Sequence, residues 1–222
     1  GVGGEMVSVM VSDPLGRKIE ARYALINGDA TAVIAMSSAS GLTLLKPEES
    51  NPLIASTFGT GELIVDALER GCREIIMGLG GSATNDCGVG MLRALGYRFY
   101  DAAGEELCDT ISILERVESI STTERHPLLM GVKFTAAVDV DNPLYGPQGA
   151  AHIFAPQKGA SPEMVERLDK ALCHFAEVVD ADAAEVAGAG AAGGMGYALH
   201  TMLGARMRPG IEIVLALLDF ER

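Results

Sequence analysis

Cysteine and histidine are scarce: four of each in 222 residues, with the cysteines at 72, 87, 108 and 173 and no Cys-x-x-Cys pair. That spacing excludes a zinc-ligand set and a disulfide framework, so reduced thiols are expected. His126, His152, His174 and His200 lie in no setting that supports a Ser-His-Asp triad. Positive charge is also short. Seventeen Lys and Arg face 30 Asp and Glu, for a formal net charge of −13, so no nucleic acid and no anionic membrane is an expected partner. The acid excess serves solubility, and an anionic ligand must be met by local groups or a metal ion. No apolar run approaches the ~20 residues of a membrane span, and no basic-then-apolar leader opens the chain. A soluble, cytoplasmic protein is expected.

What the chain has in excess is glycine, 27 residues against a usual share of about 7%. They crowd into 78–96, 146–159 and 188–196. Glycine loses more freedom on ordering than any other residue, so such clusters serve close approach or positive φ. With 48% apolar and 21% charged residues, the rest reads as an ordinary globular protein with a substantial core.

Between residues 6 and 36 the apolar positions alternate, interrupted by Asp13-Pro14-Leu15-Gly16 and Asn27-Gly28-Asp29. Period two with turn chemistry predicts a three-stranded antiparallel meander. The period then changes. Helices are predicted from Thr60 to Gly71, over 86–95, 111–117 and 194–203, from Pro209 to Leu218, and after the Ser161-Pro162 start signal; strands are predicted over 73–77, 97–100 and 132–138. The fold class is therefore α/β or α+β, a mixed sheet with helices, with no internal linker marking a domain boundary. The glycine start and the charged residues 219–222 leave the expectation of a piece of something longer.

The first glycine cluster, Gly78-Leu79-Gly80-Gly81-Ser82-Ala83-Thr84-Asn85-Asp86, follows a strand pattern and precedes a helix pattern. That order aims unpaired N–H groups and a helix dipole at an anion. No lysine completes a Walker A motif. Gly78, Gly80 and Ala83 match G-x-G-x-x-[GA], with Asp101 placed for a dinucleotide ribose, which keeps an NAD-binding oxidoreductase domain open. Asp86 either meets a phosphate through Mg²⁺ or caps the helix. At the end of the strand over 132–138, Asp139, Asp141 and Asn142 form an oxygen-rich group suited to a hard cation, to proton transfer, or merely to an Asx turn. Lys158 either neutralises an anion or is solvated. The Gly-Ala run 188–196 permits helix packing as readily as anion binding, and a non-catalytic scaffold with tightly packed loops remains a third reading.

Together these words resemble the signature segments of the bacterial glycerate kinases, in the same order: 78–86, Asp139 to Leu144 with Gly149-Ala150-Ala151, Pro156-Gln157-Lys158-Gly159-Ala160, and 188–194. Ser38-Ala39-Ser40-Gly41-Leu42, Asn51-Pro52-Leu53 and Gly59 to Leu63 extend the resemblance over nearly the whole chain. It implies ATP-dependent phosphorylation of D-glycerate by a cytosolic enzyme of two α/β domains with the active site in their cleft, with ATP and Mg²⁺ as cofactors and oligomers allowed. Carried onto this chain, it implies Asp86, Asp139, Asp141 and Lys158 as catalytic and Asp86 and Asp139 on the metal. Substrate- or nucleotide-binding positions are Gly80, Gly81, Ser82, Thr84, Asn85, Asn142, Gly190 and Gly193. The flanking Rossmann-like segment with its Asp-Ser-Phe-Lys and Ala-Asp-Gly-Gly-Glu-Gly words is absent, so residues 1–222 are expected to be the middle domain, without turnover by themselves. Two positions depart from the pattern: Ala35, where an acid is expected, and Cys87, where a second glycine is usual and where only a negative φ would tolerate a side chain.

Overall fold

The computed structural model describes residues 3–28 and 30–218. Asp29 of the second predicted turn and the charged stretch 219–222 lie outside the described residues. In chain order the strands are β1 (Gly4–Ser12), β2 (Lys18–Ile26), β3 (Thr31–Ala35), β4 (Glu74–Gly78), β5 (Arg98–Tyr100), β6 (Glu106–Leu107), β7 (Ser119–Ser121), β8 (Lys133–Ala137) and β9 (Arg206–Arg208). The helices are α1 (Ser37–Ser40), α2 (Phe58–Glu69), α3 (Val89–Ala94), α4 (Thr110–Arg116), α5 (Ala150–Phe154), α6 (Pro162–Val179), α7 (Ala191–Leu203) and α8 (Gly210–Leu217).

Six strands form one mixed sheet in the order β1-β2-β3-β4-β8-β9, and β6-β5-β7 form a small antiparallel sheet of their own. The predicted meander is β1-β2-β3; from β3 onward the pairing is parallel. Asp13 sets the first turn: its buried carboxylate accepts from the backbone N–H groups of Leu15 at 2.8 Å and Arg17 at 2.9 Å. The long helix α6 starts as its sequence requires, with Ser161 Oγ accepting from Met164 N and proline in the first turn.

Leu25, Ala32, Ile75 and Phe134 lie side by side across the sheet and are buried, as are Ile34, Met77 and Ala136 in the next row. This face meets the helices: Tyr23, on the same face, donates its hydroxyl to Asp66 of α2 at 2.6 Å. Phe175 of α6 packs between Phe99 and Tyr197, carrying the core into the small sheet.

Two expectations change here. Helix α3 begins three residues later than predicted, because Cys87 and Gly88 are left-handed, with φ of 48° and 68°. A negative φ at Cys87 was required and is not found. Its N–H donates to Gly193 O at 2.9 Å, a bond that holds a conformation costing a non-glycine residue about 1–2 kcal/mol. Asp101 is the other. Its strand, β5, belongs to the small sheet, and its carboxylate accepts from Ala103 N and Glu105 N, both at 3.0 Å, and pairs with Arg116. It shapes a turn and faces no glycine loop, which removes the dinucleotide reading.

Candidate active site at the carboxyl ends of the parallel strands

In open α/β sheets ligands bind beyond the carboxyl ends of the strands, and here β4 and β8 end together, Gly78 beside Ala137. Above them lies a cavity of about 340 Å³ lined by Gly80, Gly81, Ser82, Asp139, Lys158 and Ala192, with Leu42, Phe154 and Gln157 among the remaining walls. Five segments remote in sequence thus meet at one place.

The glycine loop is pinned from outside and open within. Gly81 O accepts from Leu42 N and Ser40 O from Ala83 N, both at 2.9 Å, so the Ser37–Leu42 stretch clamps the loop. Gly81 takes φ of 74°, which a side chain would strain. The N–H groups of Gly80 and Gly81 donate to no backbone acceptor among the described residues. Exposed amides of this kind are the ordinary means by which a protein holds an anion.

Lys158 joins the cavity as expected, but from inside the fold rather than from solvent. It is 1% exposed and donates Nζ to Thr84 O at 2.5 Å, held inward by the tight turn Pro156–Lys158 before Gly159. Burial pulls its ammonium down to about 7, against the attraction of Asp86. An amine poised there takes a proton readily when an anion arrives.

Asp86 does not line the cavity. It is wholly buried; Oδ2 accepts from Thr57 N at 2.8 Å, Thr57 Oγ1 at 2.7 Å and Gly90 N at 3.2 Å, and Oδ1 accepts from Gly88 N at 3.1 Å. The capping reading holds: the carboxylate fills the N-terminus of α3 and ties it to the start of α2 through Thr57, whose hydroxyl also accepts from Met91 N. The helix end is therefore closed to any anion. Burial pushes the Asp86 carboxyl up despite these bonds.

Other predicted site residues also serve the scaffold. A Cβ on Gly193 would strike Thr84 O, and one on Gly190 would strike Pro143 O, so close backbone packing by itself requires glycine at both. Replacing Gly193 by alanine is expected to lower the unfolding free energy measured in urea by at least about 2 kcal/mol, since φ of 70° adds strain to the collision. Asn142 braces its own loop, donating Nδ2 to Gln148 O at 2.8 Å. Asp141 is exposed and lies outside the cavity lining. Thr84 and Asn85 are buried beneath the loop, and Thr84 Oγ1 and both amide atoms of Asn85 have no partner among the described residues. Buried unpaired polar atoms are rare enough to mark strain or function.

Asp139 does reach the cavity. It is exposed, and Oδ1 accepts from Gly210 N at 2.8 Å, which orients the group and leaves Oδ2 free to act. Among the described residues no three acidic, His or Cys side chains gather as a metal cage. The donor set therefore fits Mg²⁺ only where phosphate oxygens complete the coordination, with Asp139 as the protein's carboxylate.

Residues 1–222 match the glycerate kinase family along their whole length. The chain belongs to the glycerate kinase family. Glycerate 2-kinase of Escherichia coli K12 is 46% identical over 215 residues, covering 95% of this chain and 56% of that protein. Glycerate kinase of Bacillus subtilis 168 is 44% identical over 222 residues, 98% of this chain and 58% of that one. The crystal structure of a putative glycerate kinase 2 from Salmonella typhimurium LT2 superposes with a TM-score of 0.94 at 45% identity, over 99% of this chain and 60% of that chain. The glycerate kinase family chain described here thus spans about three-fifths of the length of these relatives. No described helix is long and apolar enough to cross a membrane.

Proposed function

We propose that this chain forms the anion-holding part of an ATP-dependent glycerate kinase, which transfers the γ-phosphoryl group of ATP to a hydroxyl of D-glycerate. The observation that carries the reading is the meeting of the free Gly80 and Gly81 amides, the buried Lys158 amine and Asp139 around one cavity. The amides donate to the carboxylate of glycerate or to a phosphate. Lys158 takes up a proton as that negative charge enters and offsets the charge that develops in transfer. Asp139, with one oxygen fixed by Gly210 N, accepts the proton of the attacking hydroxyl or takes part in holding Mg²⁺, which would neutralise phosphate charge. Phosphoryl transfer asks for positioning and electrostatic stabilisation of this kind. The residues 1–222 correspond to one domain of a two-domain enzyme, and the second domain completes the ATP site.

The name of the E. coli relative makes the C2 hydroxyl the acceptor to test first. The test is a product assay on the complete gene product with D-glycerate, ATP and Mg²⁺, resolving 2- from 3-phosphoglycerate, beside a parallel titration with NAD. Absence of either phosphoglycerate would sink the reading; residues 1–222 alone are expected to give no turnover. Asp139→Asn is expected to lower kcat by about 10- to 100-fold with the melting temperature nearly unchanged, because the group is exposed and an amide oxygen still accepts from Gly210. Full activity in that variant would take Asp139 out of the chemistry.

A further inference from the structure

The large sheet has a second face, and this chain leaves most of it uncovered. Met6, Ala24, Val33, Ile76, Thr135 and Arg206 stand opposite one another from strand to strand and make one continuous row across all six strands. Behind them lie Leu25, Ala32, Ile75 and Phe134, fully packed. Val33, Ile76 and Thr135 are only half-buried, and Met6 and Met10 are 61% and 60% exposed. Parallel strands are almost always covered on both faces. Here β3, β4, β8 and β9 follow one another across the sheet in chain order, and right-handed crossovers running one way put every connecting helix on the same side. The topology therefore supplies no cover for the other side from within the parallel unit.

Helix α8 shows the same deficit. Its sequence, Gly-Ile-Glu-Ile-Val-Leu-Ala-Leu, is apolar apart from Glu212, yet Ile213 is its one buried residue. Ile211 is 63% and Val214 48% exposed, and a groove of about 470 Å³ separates the helix from Ile76, Thr135 and Arg206. A helix this apolar is normally buried on most sides.

We propose that this face, from Met6 and Met10 across Val33 and Ile76 to α8, seats the further segment of the longer polypeptide, the part that corresponds to the two-fifths of the relatives' length outside the match. The Salmonella structure is the reason for choosing that occupant over a second copy of the chain: the same fold recurs there at a TM-score of 0.94 inside a chain of which it covers 60%. The segment presents an apolar face that completes the second layer of the sheet.

The experiment uses the complete gene product and the 222-residue chain side by side. The exposed position 211 carries p-benzoylphenylalanine in place of Ile211 as photo-crosslinker, so that the free Cys108 and Cys173 are not labelled, and peroxide oxidation of Met10 is followed by mass spectrometry. Expected are cross-links from position 211 to residues outside the 222, with Met10 oxidised about tenfold or more slowly in the complete product than in the 222-residue chain. Cross-links confined to residues within the 222 of a neighbouring copy, protection of Met10 in the short chain that grows with its concentration, equal oxidation in both proteins, or a gene product no longer than 222 residues would each overturn the proposal.

Discussion

Lys158→Met is expected to lower kcat/KM of the complete enzyme about 10²- to 10³-fold and to leave the chain folded. The amine is 1% exposed, its hydrogen bond goes to a backbone carbonyl, and burial has already drawn it down to about 7. Methionine fills nearly the same volume without a group that must shed water. What it cannot do is accept a proton and face an anion. The pH dependence separates this account from one in which Lys158 is merely structural. Its folded-state value lies below the ordinary 10.5, so between about pH 7 and 10.5 the unfolded chain holds a proton that the folded chain does not. Stability then rises with pH through that window, at up to about 1.4 kcal/mol per unit. Below pH 7 both states are protonated and the slope fades. Urea unfolding at several pH values should show this rise in the parent protein and lose it in Lys158→Met; equal slopes would mean that Lys158 is not the buried neutral amine described. A saturating anion should also flatten the slope, since it favours the charged form.

The largest stability effect belongs to Asp86. Asp86→Ala strips the acceptor from Thr57 N, Gly88 N and Gly90 N and from the Thr57 hydroxyl, all in a dry interior, and leaves Lys158 without its neighbouring carboxylate. A loss of about 3–5 kcal/mol is expected. Asp86→Asn keeps one oxygen and should lose less. Equilibrium unfolding checks both, and a midpoint unchanged in Asp86→Ala would refute the capping role. In the complete enzyme the asparagine variant should lose turnover mainly as the folded fraction falls with temperature, whereas a metal ligand would lose it at every temperature.

The elements were legible where a local rule governs them. Alternation gave β1 to β3, the Ser161-Pro162 pair gave the start of α6, and turn chemistry gave Asp13 its place. The site was legible as words rather than as roles. Asp86 and Lys158 stand in separate words, and nothing in either word says that the acid closes a helix end while the lysine lies inside. Thr57, which joins Asp86 to Met91 N, carried no signal at all. Gly190 and Gly193 read as ligand positions because glycine looks the same whether a phosphate or a carbonyl comes close. Asp101 failed for a topological reason, since its strand joined a different sheet.

The sequence by itself determined the family, the mixed α/β class, the antiparallel opening and the three glycine segments, because each rests on short-range pattern or on the order of words. Tertiary structure alone decided which carboxylate meets solvent, which glycine meets backbone, and which face of the sheet stays open. Those outcomes depend on what lies opposite each residue across the fold, and a linear chain does not carry that information locally: Asp86 and Thr57 are 29 positions apart, and Lys158 and Thr84 are 74.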